Sequence, residues 1–153
     1  MFFKKNKQAV EKPPLLKKEN IIINAKAADK DDAINQVGKI LFDSGYVLQE
    51  YIQGMHEREK TFATYMGNYL ALPHGVEQVK DAIVNSGIAI MIFPDGVDWD
   101  GNDAKIVIGI AGKGGEHMTI LANIATKLID INVCEQLIAS DQDTIYDILT
   151  SEA

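Results

Sequence analysis

Apolar residues in this chain form short runs that alternate with stretches of helical periodicity. The β-branched run Ile21-Ile22-Ile23 predicts a first strand. The next apolar residues recur at helical spacing, with Asp29 as a candidate N-cap and Gly45 placed to end the helix. A second helix is predicted from about Gln49 to about Arg58.

Two longer apolar runs lie in the middle of the chain, at 87–93 and 105–111. Apart from Lys105, both are apolar on successive positions, which is typical of strands covered on both faces. Between them, Pro94-Asp95-Gly96 predicts a turn, and 99–103 predicts a polar connection.

A shorter apolar run, 69–72, predicts a strand that ends at Pro73, because proline cannot donate to a sheet ladder. The preceding residues, 60–68, are expected to form a loop. The segment that follows, 76–85, has apolar residues at helical spacing but no clear boundaries, so its conformation stays open.

The last third of the chain predicts helices. Residues 112–115, Gly-Lys-Gly-Gly, form a flexible loop that opens a long helix from about Glu116, and two short helices follow near 133–139 and 144–149. Strands that alternate with helices predict an α/β fold, with a mixed, mostly buried β-sheet sandwiched between helices in a single domain.

Length and charge limit the classes of function that this chain can have. A chain of 153 residues that is 46% hydrophobic has enough apolar material for one packed core. Residues 1–18 contain six lysines and one glutamate and so carry a charge of +5. Since the total charge is −7, the rest of the chain carries −12. An acidic body argues against nucleic acid as a partner and favours a basic protein.

The first residues differ from the rest of the chain. Residues 1–14 are interpreted as a flexible basic N-terminal arm that ends at Pro13-Pro14, followed by one domain over 15–153. Adhesion to a membrane through Phe2-Phe3 and the lysines is the weaker alternative. The arm lacks the apolar core of a signal peptide and no stretch is long enough to span a membrane, so we expect a cytoplasmic protein without direct membrane insertion.

The single cysteine, Cys134, fits a reducing compartment and is expected to be a buried apolar residue.

Three side chains are candidates for chemistry. His74 follows the predicted strand before Pro73, and His117 opens the long helix after the next buried strand. The two imidazoles meet if those strands are neighbours; otherwise His74 is a turn residue and His117 a buried, hydrogen-bonded one. Arg58 lies in a charged helix end that is normally solvated, but its planar guanidinium suits phosphate oxygens.

Other chemistries have weaker support. The glycine-rich loop lacks the spacing of a phosphate-binding P-loop, and no hydrolase or zinc-protease motif is present. A small hydrolase or a metal protein built on His74 and His117 remains an alternative, but no paired-ligand spacing supports it. We therefore expect no cofactor and no metal.

The assembled motifs resemble a known family. Glu57-Arg58-Glu59-Lys60, Thr64-Tyr65-Met66-Gly67 and Leu70-Ala71-Leu72-Pro73-His74-Gly75, with Phe93-Pro94-Asp95-Gly96-Val97 and Glu116-His117, resemble the IIA domains of the bacterial phosphoenolpyruvate-dependent sugar phosphotransferase system. The resemblance spans about 15–149 and is to the mannitol branch of the mannitol/fructose family.

The resemblance implies a phosphocarrier, and so an enzyme of the phosphotransferase class. A histidine at the position of His74 accepts a phosphoryl group from the carrier HPr and passes it to a cysteine of a mannitol IIB domain, while His117 and Arg58 line the active site. Backbone N–H groups near Gly75 are expected to add donors for the phosphoryl oxygens. The alternative within the fold is a regulatory IIA protein of nitrogen or fructose type, which senses phosphorylation and binds a protein target.

Overall fold

The computed structural model describes residues 12–151, which form a five-stranded sheet with helices on both faces. The strands are β1 (Ile21–Ile22), β2 (Tyr65–Gly67), β3 (Leu70–Ala71), β4 (Gly87–Trp99) and β5 (Asn102–Ala111). The helices are α1 (Lys30–Asp43), α2 (Glu50–Thr61), α3 (Glu116–Lys127), α4 (Ile131–Ile138) and α5 (Gln142–Thr150), with 3-10 helices at Lys18–Asn20 and Glu77–Ala82.

The sheet has the order β1-β4-β5-β3-β2. The two long strands, β4 and β5, pair antiparallel at its centre. On either side lies a short parallel strand, β1 beside β4 and β3 beside β5, and β2 closes one edge antiparallel to β3. The prediction of a mixed, mostly buried sheet in an α/β fold is confirmed.

Each face of the sheet carries its own apolar core. Successive residues of β4 point to opposite faces: Ile88, Ile90 and Ile92 pack with α3, α4 and α5, whereas Ala89 and Met91 pack with α1 and α2. Burying one such isoleucine stabilises the folded state by about 1.5–3 kcal/mol relative to leaving it exposed to water. Continuous apolar runs are therefore required in the central strands, because neither face is exposed to water.

The predicted turn at Pro94-Asp95-Gly96 is wrong. Strand β4 continues through these residues, and its register with β5 shifts between Ile92 and Val97. Gly96 has a φ of 81°, which a glycine adopts without strain. The turn-forming residues therefore build a bulge inside a strand, because the antiparallel partner continues on both sides of them.

The reversal of the chain comes later, at Asp100-Gly101. Both residues have positive φ, 57° and 91°, as the tightest hairpin turns require, and Trp99 pairs with Asn102 across the turn. The prediction that Trp99 belongs to a polar connection is wrong, because its side chain is fully buried. Strand β5 consequently begins at Asn102, three residues before the predicted strand.

The segment before Pro73 also differs from its prediction. Part of the expected loop forms β2, and β2 and β3 are joined by a tight turn in which Gly67, Asn68 and Tyr69 all have positive φ. Pairing of β3 with β2 and β5 stabilises this turn, which local propensity does not indicate. The segment left open at 76–85 contains a 3-10 helix interrupted at Val79.

The helix predictions are largely confirmed. The Asp29 carboxylate accepts a hydrogen bond from the N–H of Asp32 at 2.8 Å, and Gly45, with a φ of 84°, follows the end of α1. Helix α2 extends to Thr61, three residues beyond the prediction, and α3 begins at Glu116 as predicted. The two last helices each begin two residues earlier than predicted.

The predicted basic arm lies mostly outside the described residues, which begin at Lys12. At its end, the carbonyl of Pro14 accepts a hydrogen bond of 2.6 Å from the Tyr46 hydroxyl. No helix within 12–151 is long and apolar enough to cross a membrane.

The Tyr46 ring gives a test of the packing that supports this fold. The ring is fully buried, and a Cβ on Gly87 would lie 2.3 Å from it. Gly87→Ala should therefore lower the free energy of unfolding by about 1–3 kcal/mol, the usual cost of overpacking. Gly115→Ala is the control, since no atom outside its adjacent residues lies within 4 Å of its Cβ position. Urea denaturation measures both, and equal stabilities would contradict this packing.

Candidate active site

The pairing of β3 with β5 places His74 at the end of a parallel strand. The Ile110 N–H donates to the Pro73 carbonyl at 3.0 Å, and His74 bridges to Ile110 in the parallel sense. The half-buried imidazole lies next to its own backbone: Nδ1 is 2.8 Å from the Leu72 carbonyl oxygen. A carbonyl only accepts, so Nδ1 carries the proton, and Nε2 of the neutral ring retains its lone pair.

The surroundings of His74 favour that neutral ring. Burial lowers the pKa of His74 below its ordinary value of 6.5, while the Leu72 carbonyl opposes this shift. Electrostatic repulsion from Arg58 and His117 lowers the pKa of His74 further, and the Glu59 carboxylate raises it. At neutral pH the imidazole is therefore unprotonated at Nε2, as a nucleophile must be.

His117 lies in the first turn of α3, directly against the end of β5. A Cβ on Gly112 would lie 2.3 Å from the backbone nitrogen of His117, so only glycine permits this approach. The loop is attached to the preceding segment through Ser86, whose hydroxyl accepts from the Lys113 N–H at 2.8 Å and donates to the Glu116 carboxylate. The loop predicted to be flexible is therefore held by hydrogen bonds to Ser86 near both of its ends.

The two histidines line one cleft of about 460 Å³. Their strands are neighbours in the sheet, which was the condition for His74 and His117 to meet. Charged side chains of both signs also line the cleft: Glu77, Lys80, Asp81 and Lys113. The cleft therefore combines a neutral nucleophilic nitrogen with two lysines that suit an anionic phosphoryl group, and with two carboxylates that do not.

Arg58 is in the last turn of α2, outside the residues that line the cleft. Its Nη1 donates to the Phe62 carbonyl at 2.9 Å, and the guanidinium carbon is 5.6 Å from the centre of the Phe62 ring. The Arg58 charge nevertheless acts on His74, since it lowers the pKa of that imidazole. The third histidine, His56, lies elsewhere, with Nε2 2.7 Å from the Asn35 side-chain oxygen.

Tyr51 is a residue of the site that sequence reasoning missed. Its buried hydroxyl accepts from the Gly75 N–H at 2.8 Å and donates to the Ile110 carbonyl at 2.7 Å. Burial raises the pKa of Tyr51 to about 12, so the hydroxyl keeps its proton. The Val76 N–H donates to the Gly54 carbonyl. The expectation that N–H groups near Gly75 serve phosphoryl oxygens is wrong for these two, because both are occupied.

Comparison with known proteins identifies the family. The family model described as "Phosphoenolpyruvate-dependent sugar phosphotransferase system, EIIA 2" matches residues 14–152. The chain belongs to this EIIA family.

Relatives specify the branch of the family. The mannitol-specific phosphotransferase enzyme IIA component of Geobacillus stearothermophilus is 47% identical over 138 residues, 89% of this chain and 95% of that protein. IIA mannitol from Escherichia coli superimposes with a TM-score of 0.81 at 36% identity, covering 86% of this chain and 96% of that one.

A third comparison is with a complex. Enzyme IIA of the E. coli complex of IIAMtl with phosphorylated IIBMtl gives a TM-score of 0.85 at 35% identity, covering 90% of this chain and 100% of that one. The resemblance to mannitol-type IIA components, drawn from the motifs, is confirmed, and with it the assignment to the phosphotransferases.

We expect the bridging hydroxyl of Tyr51 to contribute measurably to the stability of this EIIA protein. Tyr51→Phe leaves the Gly75 N–H and the Ile110 carbonyl without their partner, which typically costs about 1–3 kcal/mol of the free energy of unfolding. Tyr46→Phe is the matched control, because that hydroxyl serves only the carbonyl of exposed Pro14. If denaturation shows that Tyr51→Phe costs no more than Tyr46→Phe, the bridge does not hold the His74 segment.

Proposed function

We propose that this protein is a cytoplasmic phosphocarrier that accepts a phosphoryl group on His74 from phospho-HPr and passes it to a cysteine of a mannitol IIB domain. The observation that carries the proposal is the hydrogen bond from His74 Nδ1 to the Leu72 carbonyl, which leaves Nε2 as the free nucleophilic nitrogen. The relatives named as mannitol-specific IIA components support the choice of sugar system. The E. coli structure of IIAMtl with phosphorylated IIBMtl supports the choice of acceptor.

The two transfers need no proton relay. In the first, the lone pair of Nε2 forms a bond to phosphorus as the donor's nitrogen–phosphorus bond breaks, and that electron pair returns to the donor histidine. The phosphorylated ring, still protonated at Nδ1, is positively charged, and the Leu72 carbonyl stabilises it. In the second transfer a thiolate attacks phosphorus, and His74 leaves as the neutral imidazole from which it began.

Positioning and charge stabilisation dominate such a transfer. In the proposal, His117 faces the phosphoryl oxygens from across the cleft, and the Arg58 guanidinium turns from the Phe62 carbonyl towards them. Both groups also hold the pKa of His74 down before transfer. One set of charges thus keeps the nucleophile unprotonated and then compensates the charge that it receives.

The first test is the site of phosphorylation. Incubation with phosphoenolpyruvate, enzyme I and HPr should add one acid-labile phosphate to the wild-type protein and none to His74→Ala. His56→Ala is the matched control and should be phosphorylated like the wild type. A full equivalent of phosphate on His74→Ala, with His56 or His117 as acceptor, would show that the assignment is mistaken.

The second test separates chemistry from folding at Arg58 and His117. Arg58→Lys and His117→Ala should lower the rate constant of transfer from phospho-HPr by up to about 10², the lower end for loss of one charge-stabilising donor. Arg58→Lys keeps a positive charge, so the pKa of His74 should stay low while the rate falls. Lys60→Ala, next to Arg58 on the same helix end, is the control.

Quench-flow experiments and thermal melts measure these variants together. Wild-type rates for both, or losses explained entirely by unfolding, would remove Arg58 and His117 from the active site and leave His74 alone.

A third test concerns domain organisation. We propose that residues 15–153 form the phosphocarrier domain and that the basic arm, residues 1–14, is dispensable for chemistry. Its lysine-rich composition and Pro13-Pro14 support this division. Deletion of residues 1–11 should leave both transfer rates within about threefold, since Pro14, which accepts from Tyr46, is retained. A collapse of IIB phosphorylation alone would show that the arm docks that partner.

A further inference from the structure

Glu59 is a buried carboxylate that the proposed transfer does not use. It lies between Arg58 and Lys60 in a helix end whose sequence is typical of a solvated surface, yet it is only 6% exposed. Three donors reach it: the Thr64 N–H at 2.9 Å, the Thr64 hydroxyl at 2.7 Å and the Trp99 indole N–H at 2.9 Å. Burying a carboxylate is costly unless its lone pairs are satisfied, as they are here.

The hydrogen bonds to Thr64 connect Glu59 to His74. The Thr64 carbonyl accepts from the Leu72 N–H at 3.0 Å, and the Leu72 carbonyl accepts from His74 Nδ1 at 2.8 Å. A displacement of Thr64 therefore moves the carbonyl that selects the tautomer and orientation of the imidazole.

The same clamp sets the position from which Arg58 starts in the unphosphorylated protein. Glu59 and Thr64 are five residues apart, and their two hydrogen bonds close the turn that contains Phe62. The carbonyl and the ring of Phe62 hold the Arg58 guanidinium. Trp99, the buried last residue of the bulged strand β4, also donates to this carboxylate and so links it to the sheet.

We infer that Glu59 is the positioning residue of the phosphoryl-transfer site, holding through Thr64 both the carbonyl that orients His74 and the turn that holds Arg58. The inference rests on the proposed function for its kinetic consequence, but the imidazole geometry it describes belongs to the unphosphorylated protein. Glu59 touches neither the phosphoryl group nor the reacting nitrogen.

Kinetics of three variants test the inference, at a temperature where melts show each protein folded. Glu59→Ala should lower the rate constant of transfer from phospho-HPr at least tenfold, because small misplacements of reacting groups are costly. Glu59→Gln should recover to within about threefold of wild type, since an amide oxygen and a rotated Thr64 hydroxyl preserve the clamp. Glu57→Ala, an exposed carboxylate on the same helix, is the matched control and should transfer at the wild-type rate.

A spectroscopic measurement distinguishes positioning from stability. In ¹⁵N NMR spectra of the unphosphorylated protein, His74 should show the Nδ1–H tautomer in the wild type, Glu57→Ala and Glu59→Gln, and a mixture of tautomers in Glu59→Ala. A folded Glu59→Ala protein with the wild-type rate, or with an unchanged tautomer, would overturn the inference, as would an equal loss in Glu57→Ala.

A further variant decides the case if Glu59→Ala does not fold. Thr64→Val removes only the hydroxyl from the clamp, and valine is favourable at this position directly before β2. This variant should lower the rate constant of transfer several-fold and change the tautomer of His74 in part. Wild-type behaviour of Thr64→Val would then overturn the inference. If wild-type protein accepts no phosphate from phospho-HPr, the proposed function fails, whereas the tautomer comparison still tests the role of Glu59.

Discussion

The parallel pairing of β3 with β5 is the contact on which the arrangement of this site depends. Strand β3 has only two residues, but they are enough to align the carboxyl ends of two neighbouring strands. His74 follows one strand and His117 follows the other, so the pairing brings two distant parts of the chain to one cleft. Beyond β3 the ladder is continued by the Pro73 carbonyl and by the Tyr51 hydroxyl, which bridges Gly75 and Ile110. The segment that carries the nucleophile is thus held on both sides of His74.

The chemistry follows from one short-range hydrogen bond inside this frame. Because Nδ1 of His74 is committed to the carbonyl two residues earlier, the reactive nitrogen is determined before any partner arrives. Partial burial and the nearby Arg58 guanidinium favour the neutral ring, while the same carbonyl is positioned to stabilise the positive ring that phosphorylation would create. A carrier that receives and donates the same group needs both the neutral and the phosphorylated form of its histidine to be stabilised.

Local patterns in the sequence predicted most of the fold and the residues that the site brings together. Apolar runs and helical periodicity depend on neighbouring positions, and they located the central strands and the helices. The motif around Pro73 and His74 likewise ends a strand by a local mechanism, the missing proline N–H. Long-range contacts were not predictable in this way: the turn-like residues at 94–96 form a bulge because β5 pairs on both sides of them. Glu59 and Tyr51 appear to local analysis as an exposed charge and an apolar helix position, since their partners lie up to 59 residues away.

His74, reacting through Nε2, is the proposed phosphocarrier. The most direct measurement is NMR of the ¹⁵N-histidine-labelled protein after phosphorylation by phosphoenolpyruvate, enzyme I and HPr, with ³¹P–¹⁵N couplings used to locate the phosphoryl group. We expect one phosphohistidine, His74, with phosphorus coupled directly to Nε2 and a proton retained on Nδ1. Phosphorus on Nδ1 of His74, or on either of the other two histidines, would contradict this expectation.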